Sequence, residues 1–273
     1  MSLYQHGESV DDPSQVKVRN AATVMIVADR PDLHVLMVQR TSKAAFGPRA
    51  WVFPGGRVDA DDGAEVAHVV TGLTDAAASE MVEVPSGGLA WWLAGIRETL
   101  EEAGLLLGAA GAEPAAVDRV RKAVHDDAGS LIPALAENEI VVDLGSLHEV
   151  GRFVTPVGPP RRFDTRFFVG LAPDEQIAHH DESEIVEHQW MRPGEAIERS
   201  RNDEIELMAV THRMLACLAR YPSAAEVMAA AERRGPAQRV RINDPDGRYE
   251  VLMPGEPGYD TAEVEIKHGA VRL

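Results

Sequence analysis

The stretch from Leu89 to Gly104 constrains this chain more than any other. Its apolar residues recur at helical spacing, and Gly104 is the residue type that most readily closes a helix in the left-handed conformation. At about 100° per residue, with Glu98 at the origin, Glu102 falls near +40° and Glu101 near −60°. Three carboxylates therefore share one arc, while Leu93, Ile96, Leu100 and Ala103 lie opposite. The apolar side must pack on a sheet or another helix. The acidic side is poorly placed for stability. Glu98 and Glu102 repel at i,i+4, and all three carboxylates sit toward the helix C-terminus, where the macrodipole disfavours anions by roughly 0.3–1 kcal/mol each. A solvated acidic face is the ordinary explanation of such a pattern. The other is a bound divalent cation, since hard oxygen ligands are what Mg²⁺ and Mn²⁺ take.

Around this helix the pattern alternates between strands and helices. Residues 21–28 and 34–39 read as a β-hairpin across Asp29-Arg30-Pro31-Asp32. Residues 51–53 read as a short strand ending at Pro54-Gly55-Gly56, and 57–88 as an excursion with a short helix. A second helix is expected over 113–127, continued by 130–138. Strands follow at 148–154, 162–171 and 185–191, then helices at 193–200, 205–220 and 223–234. Residues 239–242 and 249–253 flank Asp244-Pro245-Asp246-Gly247, a terminal hairpin by its turn chemistry. The fold class is α/β, a sandwich around a mixed sheet. Residues 1–16 read as a flexible N-terminus, 17–220 as the main domain with 57–88 inserted, and 221–273 as a helix-and-hairpin extension that could build a homodimer interface.

Charge and composition exclude several classes. The net charge of −17 argues against a nucleic-acid partner, which requires a basic footprint. No apolar run reaches the ~18 residues needed to span a membrane, and residues 1–15 lack the basic and apolar regions of a signal peptide, so the cytoplasm is the expected location. The single cysteine, Cys217, permits no intrachain disulfide and reads as a small buried hydrophobe.

Arg97-Glu98-Thr99-Leu100-Glu101-Glu102-Ala103-Gly104-Leu105 resembles the second half of the Nudix box, G-x5-E-x7-R-E-U-x-E-E-x-G-U with U apolar. Gly55-Gly56 after Phe53-Pro54 resembles its start. Two departures stand out. Counting from Gly56, Asp62 takes the first Glu position, and the Arg expected at position 70 stands at 97, an insertion of about 27 residues. Thr99 occupies an apolar position. An interrupted box is similar to that of the coenzyme A diphosphatase branch of the family. The stretches 46–56, 96–107 and 155–168 support that branch, and the resemblance spans roughly 18–220.

The resemblance implies a Nudix-type α/β/α sandwich carrying an insertion in the box and a C-terminal helical and hairpin extension. It implies a hydrolase cleaving a diphosphate bond, with a small-molecule diphosphate as substrate and Mg²⁺ or Mn²⁺ as cofactor. Carried over by position, Glu98, Glu101, Glu102 and the Gly56 carbonyl ligate the metal, and Arg97 orients Glu101. The general base is Glu101 or a loop acid, Glu182 or Glu184, with the loop preferred. Coenzyme A or its acyl esters lead as substrate. ADP-ribose, NADH and other nucleotides remain alternatives, as does a non-catalytic nucleotide sensor, although a sensor would be expected to lose box carboxylates that this chain keeps.

On a strand over 162–168, Arg162, Asp164 and Arg166 share one face. Arg162 and Arg166 are therefore candidates for phosphate recognition, with a structural salt bridge, such as Arg166 to a glutamate of the box helix, equally open. Arg40 and Arg57 are further substrate-binding candidates. His179-His180 lacks the spaced partners of a separate metal site.

Overall fold

The computed structural model describes residues 12–44, 47–63, 66, 68–179, 184–243, 250–262 and 264–273. The strands are β1 (Val18–Asp29), β2 (Leu33–Arg40), β3 (Trp51–Val52), β4 (Gly55–Arg57), β5 (Val70–Thr71), β6 (Val142–Asp143), β7 (Leu147–Val154), β8 (Arg162–Leu171), β9 (Ile185–Met191), β10 (Gln238–Asn243), β11 (Glu250–Leu252) and β12 (Val264–Val271). The helices are α1 (Asp75–Val82), α2 (Leu89–Ala103), α3 (Pro114–Asp126), α4 (Leu131–Glu137), α5 (Pro193–Arg201), α6 (Ala209–Leu218) and α7 (Ala224–Glu232).

β1 explains the layering. It is buried on both faces, so its side chains alternate between two apolar environments rather than between core and water. Ala22, Val24 and Ile26 pack with α1 to α4, and Met25 and Val27 pack with α5 to α7. The sheet between them runs β11-β10-β12-β7-β8-β1-β2-β3, with β4 also pairing β1 and β9 pairing β2. β1 and β8 are parallel, with Ala22 opposite Arg166, and the β1–β2 hairpin is antiparallel. The result is an α/β/α sandwich on a mixed sheet.

Three local expectations are corrected. The helix expected across 113–138 breaks in two, because the Asp127 carboxylate accepts from Gly129 N–H at 3.1 Å and holds a 3-10 turn at residues 128–130. The helix expected from 205 begins at Ala209; before it, the chain runs extended beside β3, with Trp51 N–H donating to the Glu206 carbonyl at 2.9 Å. The tail is more than a hairpin: β12 follows it and pairs with both β10 and β7, joining the tail to the main sheet. The turn at 244–249 and residues 1–11 of the N-terminal segment lie outside the described residues; Pro13–Gln15 form a 3-10 turn. Cys217 is 2% exposed among the apolar side chains under α6.

The stretch preceding α2 is tied down by its own polar groups. The Asp75 carboxylate accepts from Gly87 and Leu89 N–H at 2.9 and 3.2 Å, and Ser79 Oγ accepts from Gly88 N–H at 2.9 Å. These bonds hold the residues that lead into α2, and the one to Leu89 N–H gives the first amide of the helix a partner. The box insertion thus supports the start of the helix that follows it. Its β5 also pairs in parallel with β6.

Candidate active site

α2 runs over residues 89–103 and stops at Gly104, whose φ of 69° and N–H bond to the Leu100 carbonyl close the helix. Leu93, Ile96, Leu100 and Ala103 are at most 1% exposed. Thr99 is fully buried too, and its hydroxyl donates to the Ile96 carbonyl at 2.9 Å, which is how a polar residue fits an apolar box position.

The opposite arc is organised by Arg97. Its guanidinium is buried and donates through Nε and Nη2 to both oxygens of Asp62, at 3.0 and 3.2 Å. Nη1 donates to Glu98 at 2.9 Å and to Glu101 at 2.8 Å, and Nη2 also reaches the Arg57 carbonyl at 2.8 Å. Burial works against the Arg97 charge, but Asp62, Glu98 and Glu101 outweigh it and hold the group protonated. Asp62 is itself buried and accepts from Asp59 N–H at 2.8 Å. Asp62, at the position that matches the first acid of the box and with one methylene less than Glu, thus holds Arg97 from 35 positions away. Asp59, 3.6 Å from Arg97, is a contributor the sequence reading missed; its spacing from Asp62 was the available signal.

The other half of the site is the glycine pair. Gly55 has φ 155°, and a Cβ there would lie 2.4 Å from the Ala22 carbonyl oxygen. Its N–H donates to Glu102 at 2.9 Å. At Gly56 a Cβ would come within 2.3–2.6 Å of the Glu98 carboxylate. Only bare backbone fits between β1 and the acids. Residues 55–57, read as following a strand, are a strand themselves, paired with β1.

Burial raises the pKa of all three glutamates. Glu98 is pushed up to about 7, Arg97 opposing burial and Glu101 reinforcing it. Glu101 is raised by burial against the pull of Arg97. Glu102 is raised well above the usual carboxylate range, by burial and then by the charge of Glu98. Glu184 is close enough to push up Glu101 and Glu102, and Arg40 close enough to pull Glu102 down. Both sequence candidates thus lie within electrostatic reach of the cluster. Among the described residues, no three His, Cys, Asp or Glu side chains converge as a finished ion cage; Glu98 and Glu101 turn onto Arg97, and Glu102 onto Gly55. The all-oxygen donor set, crowded by its own charge, suits a hard divalent cation.

The remaining candidates divide. Glu182 and His180 lie outside the described residues. The Arg57 side chain is exposed, 3.7 Å from Asp59. Arg162 donates to the Thr155 and Pro156 carbonyls at 3.0 and 3.2 Å. Arg166 donates to the Val82 carbonyl and lies 3.8 Å from Glu149 of β7; that carboxylate, rather than one from the box helix, is its salt-bridge partner. The His179 backbone packs on Gly104, with its N–H on the Ala103 carbonyl at 2.8 Å.

A mixed sheet between helical layers, with a glutamate helix facing a glycine strand, defines a hydrolase of the Nudix class. The profile of the NUDT19 Nudix domain matches residues 67–211. The acyl-coenzyme A diphosphatase NUDT19 of Gallus gallus is 30% identical over 244 residues, covering 69% of this chain and 65% of that protein. Its Homo sapiens namesake is 26% identical, covering 71% and 67%. The chain therefore spans about two thirds of the length of these two relatives. A crystal structure of a NUDIX hydrolase from Alicyclobacillus acidocaldarius superposes with a TM-score of 0.68 at 30% identity, covering 79% of this chain and 97% of that one. This chain belongs to the NUDT19 Nudix domain family. No helix among the described residues is long and apolar enough to cross a membrane.

Proposed function

We propose that this chain hydrolyses the diphosphate bond of coenzyme A or an acyl-coenzyme A, with Mg²⁺ or Mn²⁺. Water adds across the P–O–P bond, giving (acyl-)4′-phosphopantetheine and adenosine 3′,5′-bisphosphate. The observation that carries the reading is the Arg97 network, which gathers Asp62, Glu98 and Glu101 into one site facing Gly55-Gly56. The coenzyme A choice rests on the similarity to the acyl-coenzyme A diphosphatases of Gallus gallus and Homo sapiens.

In this reading Glu98, Glu101, Glu102 and the Gly56 carbonyl hold the cation. The bound metal supplies charge neutralisation for the diphosphate and acidifies the attacking water. Arg97 fixes Glu98 and Glu101 in position, and Asp62 fixes Arg97. The proton is taken by Glu184, which approaches from the loop before β9, or by Glu101; the electrostatic contact of Glu184 with both Glu101 and Glu102 favours the loop acid. Arg40, whose charge reaches Glu102, binds substrate phosphate in this reading.

The test is incubation with Mg²⁺ or Mn²⁺ and a panel of coenzyme A, an acyl-coenzyme A, ADP-ribose, NADH and a dinucleoside polyphosphate, with products followed by mass. Coenzyme A substrates are expected to give the two products above. Turnover confined to ADP-ribose or NADH moves the substrate assignment. No turnover of any member removes the hydrolase reading.

A further inference from the structure

A second group of buried charges lies where β7, β8 and the tail meet. A cavity of about 190 Å³ opens there, lined among others by Arg152, Arg166, Arg239, Arg272, His268 and Glu149. Arg166 is 4% exposed and Glu149 is 5% exposed. Both are incompletely satisfied: Arg166 Nε and Glu149 Oε2 have no hydrogen-bond partner among the described residues. Glu149 is shared by three guanidinium groups, those of Arg166, Arg234 and Arg272, at 3.8, 3.2 and 3.8 Å. One carboxylate cannot meet three forks. The other acids close by are already engaged, Asp164 and Glu83 by Arg152 and Glu265 by Arg239. Five arginines thus face four carboxylates in a protein whose net charge is −17.

We propose that this cavity binds a phosphomonoester-type anion. Guanidinium forks match the oxygens of a tetrahedral phosphate, and an unpartnered buried N–H gains most from a charged acceptor. Burial and the neighbouring Arg152 both weigh against the charge on Arg166, a load that an anion relieves. The cavity is distinct from the glutamate cluster: Arg166 stands opposite Ala22, which stands opposite Gly56, so the two sites are about two strand spacings, ~10 Å, apart at the backbone. The anion is either free phosphate or a monoester arm of the substrate; the second source rests on the coenzyme A reading.

The test is calorimetric titration of the full chain with inorganic phosphate in EDTA, where no turnover occurs. Saturable binding to one site is expected, weakened at least tenfold in Arg272→Gln and in Arg166→Met. Arg272 is partly exposed, so its variant keeps the proposal testable should Arg166→Met not fold. Absence of saturable binding, or binding unchanged in Arg272→Gln, overturns the proposal and leaves an ion-pair network that fastens the tail to the sheet. For the source, KM of Arg272→Gln is compared on coenzyme A and on its analogue lacking the 3′-phosphate. A rise confined to coenzyme A identifies the substrate arm; equal KM values with phosphate binding retained in the wild type identify a free anion.

Discussion

Arg97 and Glu149 are the centres of two buried charge clusters built in opposite senses. Around Arg97, one guanidinium serves the acids Asp62, Glu98 and Glu101, and its donors are used at 2.8–3.2 Å. Around Glu149, one carboxylate serves three arginines at 3.2–3.8 Å, and polar atoms on both sides are left over. Short, saturated contacts fix geometry. Long, unsaturated ones leave polar valence for something else. The surplus also has a sign: the first cluster holds more acid than Arg97 can neutralise, and the second more base than Glu149 can.

The sharpest way to break the first cluster is Glu101→Gln or Glu102→Gln. Turnover should fall by on the order of 10²–10⁴, with the circular dichroism spectrum intact. Wild-type rates in both would reduce the acidic arc to a solvated face. For the second cluster, Glu149→Leu leaves the buried Arg166 and the half-buried Arg234 and Arg272 without their shared counter-charge and should cost about 3–5 kcal/mol in urea unfolding. An unchanged midpoint would show that the arginines do not depend on it. Asp62→Asn keeps the shape but loosens the grip on Arg97; a loss of about 10–100-fold in activity or metal affinity is expected, from a residue that touches no substrate.

The smallest effect is on pH dependence. Glu98 stands at about 7 in the folded chain against an ordinary 4.5, so between those values the folded form holds more protons than the unfolded. Stability from this group is full below about 4.5 and is lost as pH rises toward about 7. In EDTA, the thermal midpoint should therefore decline across that window. Glu98→Gln should flatten the decline, and Mg²⁺ should reverse it. A midpoint rising through the same window would show that burial does not govern Glu98.

What could be read in advance follows the range of the forces involved. α2 was legible to the residue, because helical spacing and a terminal Gly act within a few positions. The reach of Arg97 to Glu101 was legible for the same reason, being one helical turn. The parallel pairing of β1 with β8 was not, because burial on both faces gives an apolar run with no sign of its neighbour. β12 alternates Val264, Ile266 and Ala270 with Glu265 and Lys267, yet its partner β7 lies more than a hundred residues back. Arg166 illustrates the limit for sites. Its strand and face were readable; that Glu149 and not a box glutamate would meet it was set by the register between β7 and β8.

Asp62 and Arg97 meet although 35 positions apart, which makes the box a shape assembled in space. Loop-closure entropy grows only with the logarithm of length, so closing 34 intervening residues instead of seven costs about 1.4 kcal/mol more. A bidentate buried contact and the caps from Asp75 and Ser79 offset a cost of that size. The length of the spacer is thus a nearly neutral variable. A chain circularly permuted within it, with its old ends joined by a linker, should still assemble the same site from two ends that were never adjacent.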